Sequence, residues 1–152
     1  MFEGTVIAIN IAESATMPMQ SVDEARAVPG LGLEGDRYHA DKGSNPRKPD
    51  RELTLIEAEA IDALKRELDV DYGLSDSRRN IVTRGVPLNH LVGKEFWIGE
   101  VKVRGLRLCE PCALLQRLTH EKVLPGLLHR GGLRAQILTV GFIRVGATVK
   151  ES

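Results

Sequence analysis

The chain offers many short strand-like segments, unevenly spaced between glycine turns, and only one long amphipathic helix. Alternating or apolar runs occupy 2–9, 21–28, 51–56, 78–85, 94–98, 100–108, 135–140 and 147–149. Alternation at period two marks half-buried strands. The helix spans 57–68, with Ala60, Ile61, Leu64 and Leu68 on one face and Glu59, Asp62, Lys65, Arg66 and Glu67 mostly on the other. Asp62 and Arg66 stand four apart and can support it, and its polar face reads as solvated. Such a pattern excludes a regular array of strand–helix–strand units. It predicts an α+β, β-rich chain: a mixed, bent or barrel-like sheet with a few peripheral helices.

Between these elements the connections carry information. Residues 10–20 read as a loop joining the first two strands in a loose hairpin. Residues 40–50, ADKGSNPRKPD, are polar and rich in Gly, Pro and Lys, the best candidate for a mobile loop. Residues 87–93 read as a helical turn ended by Gly93. His90 within it reads as a surface or core residue, not a ligand. Residues 113–128 read as two short helices broken at Pro125-Gly126, with Leu114, Leu115, Leu118, Val123, Leu124, Leu127 and Leu128 supplying core. Residues 141–146 contain a turn and a short apolar segment.

With 152 residues the chain is expected to form a single domain spanning 1–152. Lys plus Arg equals Asp plus Glu, 21 each, so the chain lacks the basic excess of a nucleic-acid binder. No run is long and apolar enough to span a membrane. The start, MFEGTVIAIN, does not resemble a signal peptide, so a reducing cytoplasm is the expected compartment.

Both cysteines lie in Leu106-Arg107-Leu108-Cys109-Glu110-Pro111-Cys112, where a strand gives way to a helix. Free N–H groups and the helix dipole there favour a thiolate, which is a nucleophile and a soft metal ligand. Three chemistries fit Cys-x-x-Cys. Structural zinc needs further ligands, and His39, His90, His120 and His129 are scattered. A dithiol oxidoreductase would use both thiols, and Pro111 precedes the second cysteine as in thioredoxin-type motifs. A single working thiolate would ligate a metal or carry sulfur.

Arginines sit at strand ends and in glycine turns: Arg37, Arg51, Arg78, Arg79, Arg84, Arg130 and Arg134. Converging guanidinium groups suit a phosphate or carboxylate. Scattered surface charge is the rival explanation for each. Gly30-Leu31-Gly32-Leu33-Glu34-Gly35-Asp36-Arg37 is either a tight turn with an ion pair or an anion loop with Arg37 turned inward. No phosphate-binding Walker loop and no nucleophile elbow occurs.

Taken in order, Gly32-Leu33-Glu34-Gly35-Asp36-Arg37, Arg51-Glu52-Leu53-Thr54-Leu55-Ile56-Glu57, Arg79-Asn80-Ile81-Val82-Thr83-Arg84-Gly85, Pro111-Cys112 and Arg130-Gly131-Gly132-Leu133-Arg134-Ala135 resemble the MOSC domain family. The family is named for the C-terminal domain of molybdenum cofactor sulfurase. The resemblance runs over roughly residues 4–150. It implies a barrel-like fold and binding of the molybdenum cofactor, a molybdopterin not covalently attached. It implies Cys112 as molybdenum ligand and catalytic thiolate, since Cys112 matches the key cysteine and Cys109 matches no family-wide position. Arg37, Arg79, Asn80, Arg84, Arg130 and Arg134 would hold the cofactor. The implied activity is reduction of small N-hydroxylated substrates. The alternative is a carrier of persulfide sulfur or of cofactor for metal–sulfur centres. Either needs a partner, an electron-donor protein or a sulfur donor, or a second copy of the chain in a homodimer. The N-terminal pterin-holding domain of the mitochondrial members has no counterpart in these residues.

Overall fold

The computed structural model describes residues 1–40, 48–111, 113–120 and 122–152. Its strands are β1 (Glu3–Ile11), β2 (Gln20–Val22), β3 (Glu24–Val28), β4 (Gly32–Leu33), β5 (Leu53–Glu57), β6 (Ile81–Arg84), β7 (Glu95–Ile98), β8 (Val101–Leu108), β9 (Leu133–Ile137), β10 (Gly141–Arg144) and β11 (Thr148–Glu151). Its α-helices are α1 (Arg37–Ala40), α2 (Ala58–Leu68), α3 (Ala113–Leu118) and α4 (Val123–Gly126). Short 3-10 turns occupy Pro49–Arg51 and Leu88–Leu91.

The main sheet closes on itself. Its order is β11-β7-β8-β9-β5-β6-β1, and β11 also pairs with β1, with β2 appended to β1. Seven strands thus form a barrel, as the strand-rich pattern predicts. Every pair in the ring is antiparallel except β5–β6, which is parallel and bridged by α2. A parallel pair needs such a crossover. One strand–helix–strand unit therefore exists, where the sequence pattern predicts no array of them. A second sheet, β10-β3-β4, is separate in its strand pairing but packs Ala25, Ala27, Leu33 and Ile143 onto the barrel core.

Strand alternation builds two cores. Val6, Ile9, Leu53, Leu55, Ile81, Phe96, Ile98, Val101, Val103, Leu133, Ala135 and Val149 face into the barrel. Ile56 and Val82 face outward and are covered by Ala58, Ile61 and Leu64 of α2 with Leu115, Val123 and Leu127. Leu128, expected in the core, is 54% exposed.

Several boundaries differ from expectation for identifiable reasons. The segment 21–28 is two strands: Val22 pairs with Ile9 in the barrel, whereas Ala25 pairs with Ile143 in the second sheet. The apolar segment in 141–146 is the strand β10. α3 ends at Leu118 and α4 begins at Val123, ahead of the expected break, and Pro125 lies in the first turn of α4, where its missing N–H removes no intrahelical bond. On α2, Asp62 pairs with Arg84 and Arg66 with Glu67 in place of the expected Asp62–Arg66 contact. Of the expected mobile loop 40–50, residues 41–47 lie outside the described residues.

Candidate functional site

Outside the barrel, a polar row crosses four neighbouring strands. Thr54 of β5 faces Arg134 of β9, and Arg134 faces Arg107 of β8. Asn80, just before β6, completes the row through its bonds to Thr54. These residues point outward because Leu53, Leu55, Leu133 and Ala135, which alternate with them, face into the core.

Asn80 is wholly buried and committed to the fold. Its Oδ1 accepts from Thr54 N at 3.1 Å and Thr54 Oγ1 at 3.2 Å, and its Nδ2 donates to Asn10 O at 3.1 Å. It staples β1 to β5 and β6. Arg79 turns inward as the sequence suggests, onto protein carbonyls. Its Nε donates to Gly131 O at 2.7 Å, and its Nη2 donates to Cys109 O at 2.9 Å and to Glu110 O at 3.3 Å. One guanidinium thus clamps the cysteine loop to the glycine turn before β9. Gly131 permits that approach: a Cβ there would lie 2.5 Å from Cys109 O and 2.9 Å from Pro111 Cδ.

Arg37 also points inward. It donates to Asp36 Oδ1 at 3.0 Å and to Arg78 O at 2.9 Å, and it stacks 4.6 Å from the Tyr38 ring centroid. Asp36 is buried and also accepts from Ala12 N, so this corner is an internal ion pair. Arg78 takes a left-handed backbone (φ 61°) and ties down Met17 O and Ala15 O. Burial, then the neighbouring Arg37, pushes Arg78 below the ordinary arginine range.

Arg84 and Arg130 do not join the row. Arg84 lies at the far end of β6, exposed and paired with Asp62 of α2. Arg130 donates to Gly126 O at 3.0 Å and pairs with Glu67 of α2 at 2.6 Å. The polar face of α2, expected to be solvated only, therefore engages two of the arginines that the resemblance assigns to the cofactor.

Arg134 is different. Its Nη1 donates to the Asp50 main-chain oxygen at 3.1 Å and its guanidinium also hydrogen-bonds Tyr38, but its buried Nε has no hydrogen-bond partner among the described residues. Burial opposes its charge, yet Cys109, Tyr38 and Asp50 nearby raise it above the ordinary arginine value. Asp50 Oδ2 accepts from Arg107 Nε at 2.9 Å, while its buried Oδ1 is also without a partner. Burial works against the Asp50 charge, but Arg107, Arg134 and Lys48 together hold its carboxyl below the usual aspartate range. Cys109 is a free thiol, buried to 2% exposure. Beside it, the Glu110 carboxylate accepts from His129 N at 2.7 Å and meets His129 Nδ1 at 2.9 Å. Cys112 lies outside the described residues; Pro111 before it is buried, and α3 begins at Ala113 as the helix expectation requires.

The sequence singles out Arg37, Arg79 and Arg134; Arg37 and Arg79 turn inward onto protein groups, and Arg134 is the one with a buried donor that no described residue meets. Sequence reasoning misses Asp50, Arg107, Tyr38 and the Glu110–His129 pair. Arg107 was visible only as a polar position on an alternating strand. Asp50 lay in a stretch with no periodicity. Among the described residues no group of three or more His, Cys, Asp and Glu gathers as a metal site. The donors of Asn80, Arg79, Arg84 and Arg130 that bond protein groups are already engaged, whatever anionic group the site takes. The orphaned Nε of Arg134, beside Arg107, fits an oxyanion.

A closed, mostly antiparallel barrel with one helical crossover and a clamped cysteine loop defines a small β-barrel domain of the α+β class. The MOSC domain family's sequence profile matches residues 39–150, and the chain belongs to that family. The fold is similar to that of the YuaD protein from Bacillus subtilis (TM-score 0.81, 15% identity, covering 98% of this chain and 97% of that one). It is also similar to YiiM from Geobacillus stearothermophilus (TM-score 0.76, 13% identity, 98% and 75%) and YiiM from Escherichia coli (TM-score 0.68, 19% identity, 100% and 70%). No curated protein matches the sequence. The family is associated with the molybdenum cofactor. Among the described residues no helix is long and apolar enough to cross a membrane.

Proposed function

We propose that the chain binds the molybdenum cofactor and acts as an oxidoreductase on small N-hydroxylated substrates, with Cys112 as metal ligand and catalytic thiolate. The observation that carries the reading is the orphaned, buried Nε of Arg134 beside the cysteine loop. A buried donor without a partner costs about 1–3 kcal/mol, and an anionic ligand group removes that cost. A soft thiolate suits molybdenum. The cofactor, when bound, supplies two-electron redox chemistry. The chain's own part is to fix the loop. Arg79, just before β6, holds the carbonyls of Cys109 and Glu110 together with that of Gly131, so the backbone leading to Cys112 is tethered to the Gly131 turn. Electrons would come from a separate donor protein.

The test is molybdenum content and oxidised-pterin fluorescence on protein expressed with molybdate and purified without air, wild type beside Cys112→Ser. The expected result is metal and pterin near one per chain, with metal lost in the variant. With a suitable electron donor, the wild type should reduce a hydroxylaminopurine and Cys112→Ala should not. Absence of both metal and pterin in the wild type, with sulfur added to Cys112 by a cysteine desulfurase, would replace this reading with the sulfur-carrier one.

A further inference from the structure

Arg107 and Arg134 are directly opposite in the β8–β9 ladder, next to the register shift between Gly105 and Arg107. Like charges in that relation repel, and bulges re-aim side chains near functional sites. What sits between them is Asp50. Its Oδ2 accepts from Arg107 at 2.9 Å and its main-chain oxygen accepts from Arg134 at 3.1 Å. The compensation is incomplete: two guanidiniums, with Lys48 close by, face one carboxylate. Both Asp50 Oδ1 and Arg134 Nε stay buried and without a hydrogen-bond partner among the described residues.

We propose that Arg107 and Arg134 form a seat for a small oxyanion, phosphate or carboxylate, which Asp50 occupies as a built-in competitor. An incoming oxyanion displaces Asp50 together with the turn Pro49–Arg51. A single displacement answers both orphans, because Arg134 Nε gains an acceptor and Asp50 Oδ1 reaches water. The turn is suited to leaving. Apart from the Asp50 carboxyl, its residues are open to solvent, and among the described residues its backbone is held by Arg51 N donating to Lys48 O at 3.1 Å. The inference rests on the reading of this row as an anion site, and adds to it Arg107 as a donor and Asp50 as the group that must give way.

The intact 152-residue chain is titrated with inorganic phosphate, and in parallel with acetate, by calorimetry. Wild type is compared with Asp50→Asn and with Arg107→Gln, an exposed position that leaves the fold intact. Asp50→Asn should bind phosphate about tenfold more tightly, and Arg107→Gln should lose binding. In the wild type, phosphate should speed amide exchange at Arg51 and Glu52. Equal or weaker phosphate binding by Asp50→Asn, or wild-type binding by Arg107→Gln, overturns the proposal. If Asp50→Asn does not fold, unchanged exchange at Arg51 under saturating phosphate overturns it. The phosphate and acetate arms tell which oxyanion the seat prefers. Protein without pterin whose Asp50→Asn variant binds phosphate tightly keeps the seat and loses the cofactor reading. Pterin retained equally by Arg107→Gln and wild type does the reverse.

Discussion

At the scale of single residues, Arg79 is the clearest case of a side chain whose worth lies in what it holds. It is 8% exposed and serves three carbonyls from two segments. A lysine offers no planar fork, so it could not span them. Arg79→Gln should therefore cost about 3 kcal/mol in urea unfolding, since it strands a set of buried acceptors. The same variant should make Cys109 react faster with a thiol reagent under native conditions, because the carbonyl clamp over that loop is gone. The sequence showed that an arginine stands before β6, but not what it would face. Spacing places a guanidinium at a strand end; only the folded chain decides between a carbonyl and a ligand. Asn80 and Arg84 make the same point from opposite sides, one sealed among β1, β5 and β6, the other out on the surface with Asp62.

Among the elements, α2 was the easiest to read, because its apolar residues repeat at helical spacing. Its ends are set by residues with clear local reasons. Asp69 takes the left-handed conformation at the C-terminus (φ 54°), and its N–H bonds back to Lys65 O. At the other end, Glu57 accepts from Leu88 N and is partly buried. Burial, reinforced by Glu59, raises its pKa above the ordinary glutamate range. The sign follows directly. Folding favours neutral Glu57, so its contribution is present at acid pH and is lost as pH rises through the folded-state value. Glu57→Gln should thus raise the urea midpoint at neutral pH, and the gain should vanish well below the carboxylate range. What remained hidden was the parallel pairing of β5 and β6, since no local pattern in 51–56 or 78–85 states which strand is the neighbour. The same holds for 21–28, where one apolar run feeds two sheets.

For the molecule as a whole, closure depends on β11. It pairs with β1 on one side and β7 on the other. Removing Thr148–Glu151 would open both edges and take the fully buried Val149 out of the barrel core. Such a truncation should lose near-ultraviolet circular dichroism and cooperative thermal unfolding, while a truncation of Ser152 alone should not. The barrel class was legible from many short alternating strands and one helix. Its closure was not, because the β1–β11 contact joins the two ends of the sequence.

That contact also has a consequence for synthesis. Glu3 is emitted from the ribosome early, and its partner Lys150 is among the last residues of the barrel to be made. Until Lys150 clears the exit tunnel, β1 carries an unpaired edge, and distant contacts form slowly in any case. Folding of this domain must finish after its translation, and a second nascent chain nearby offers the first one the same missing strand.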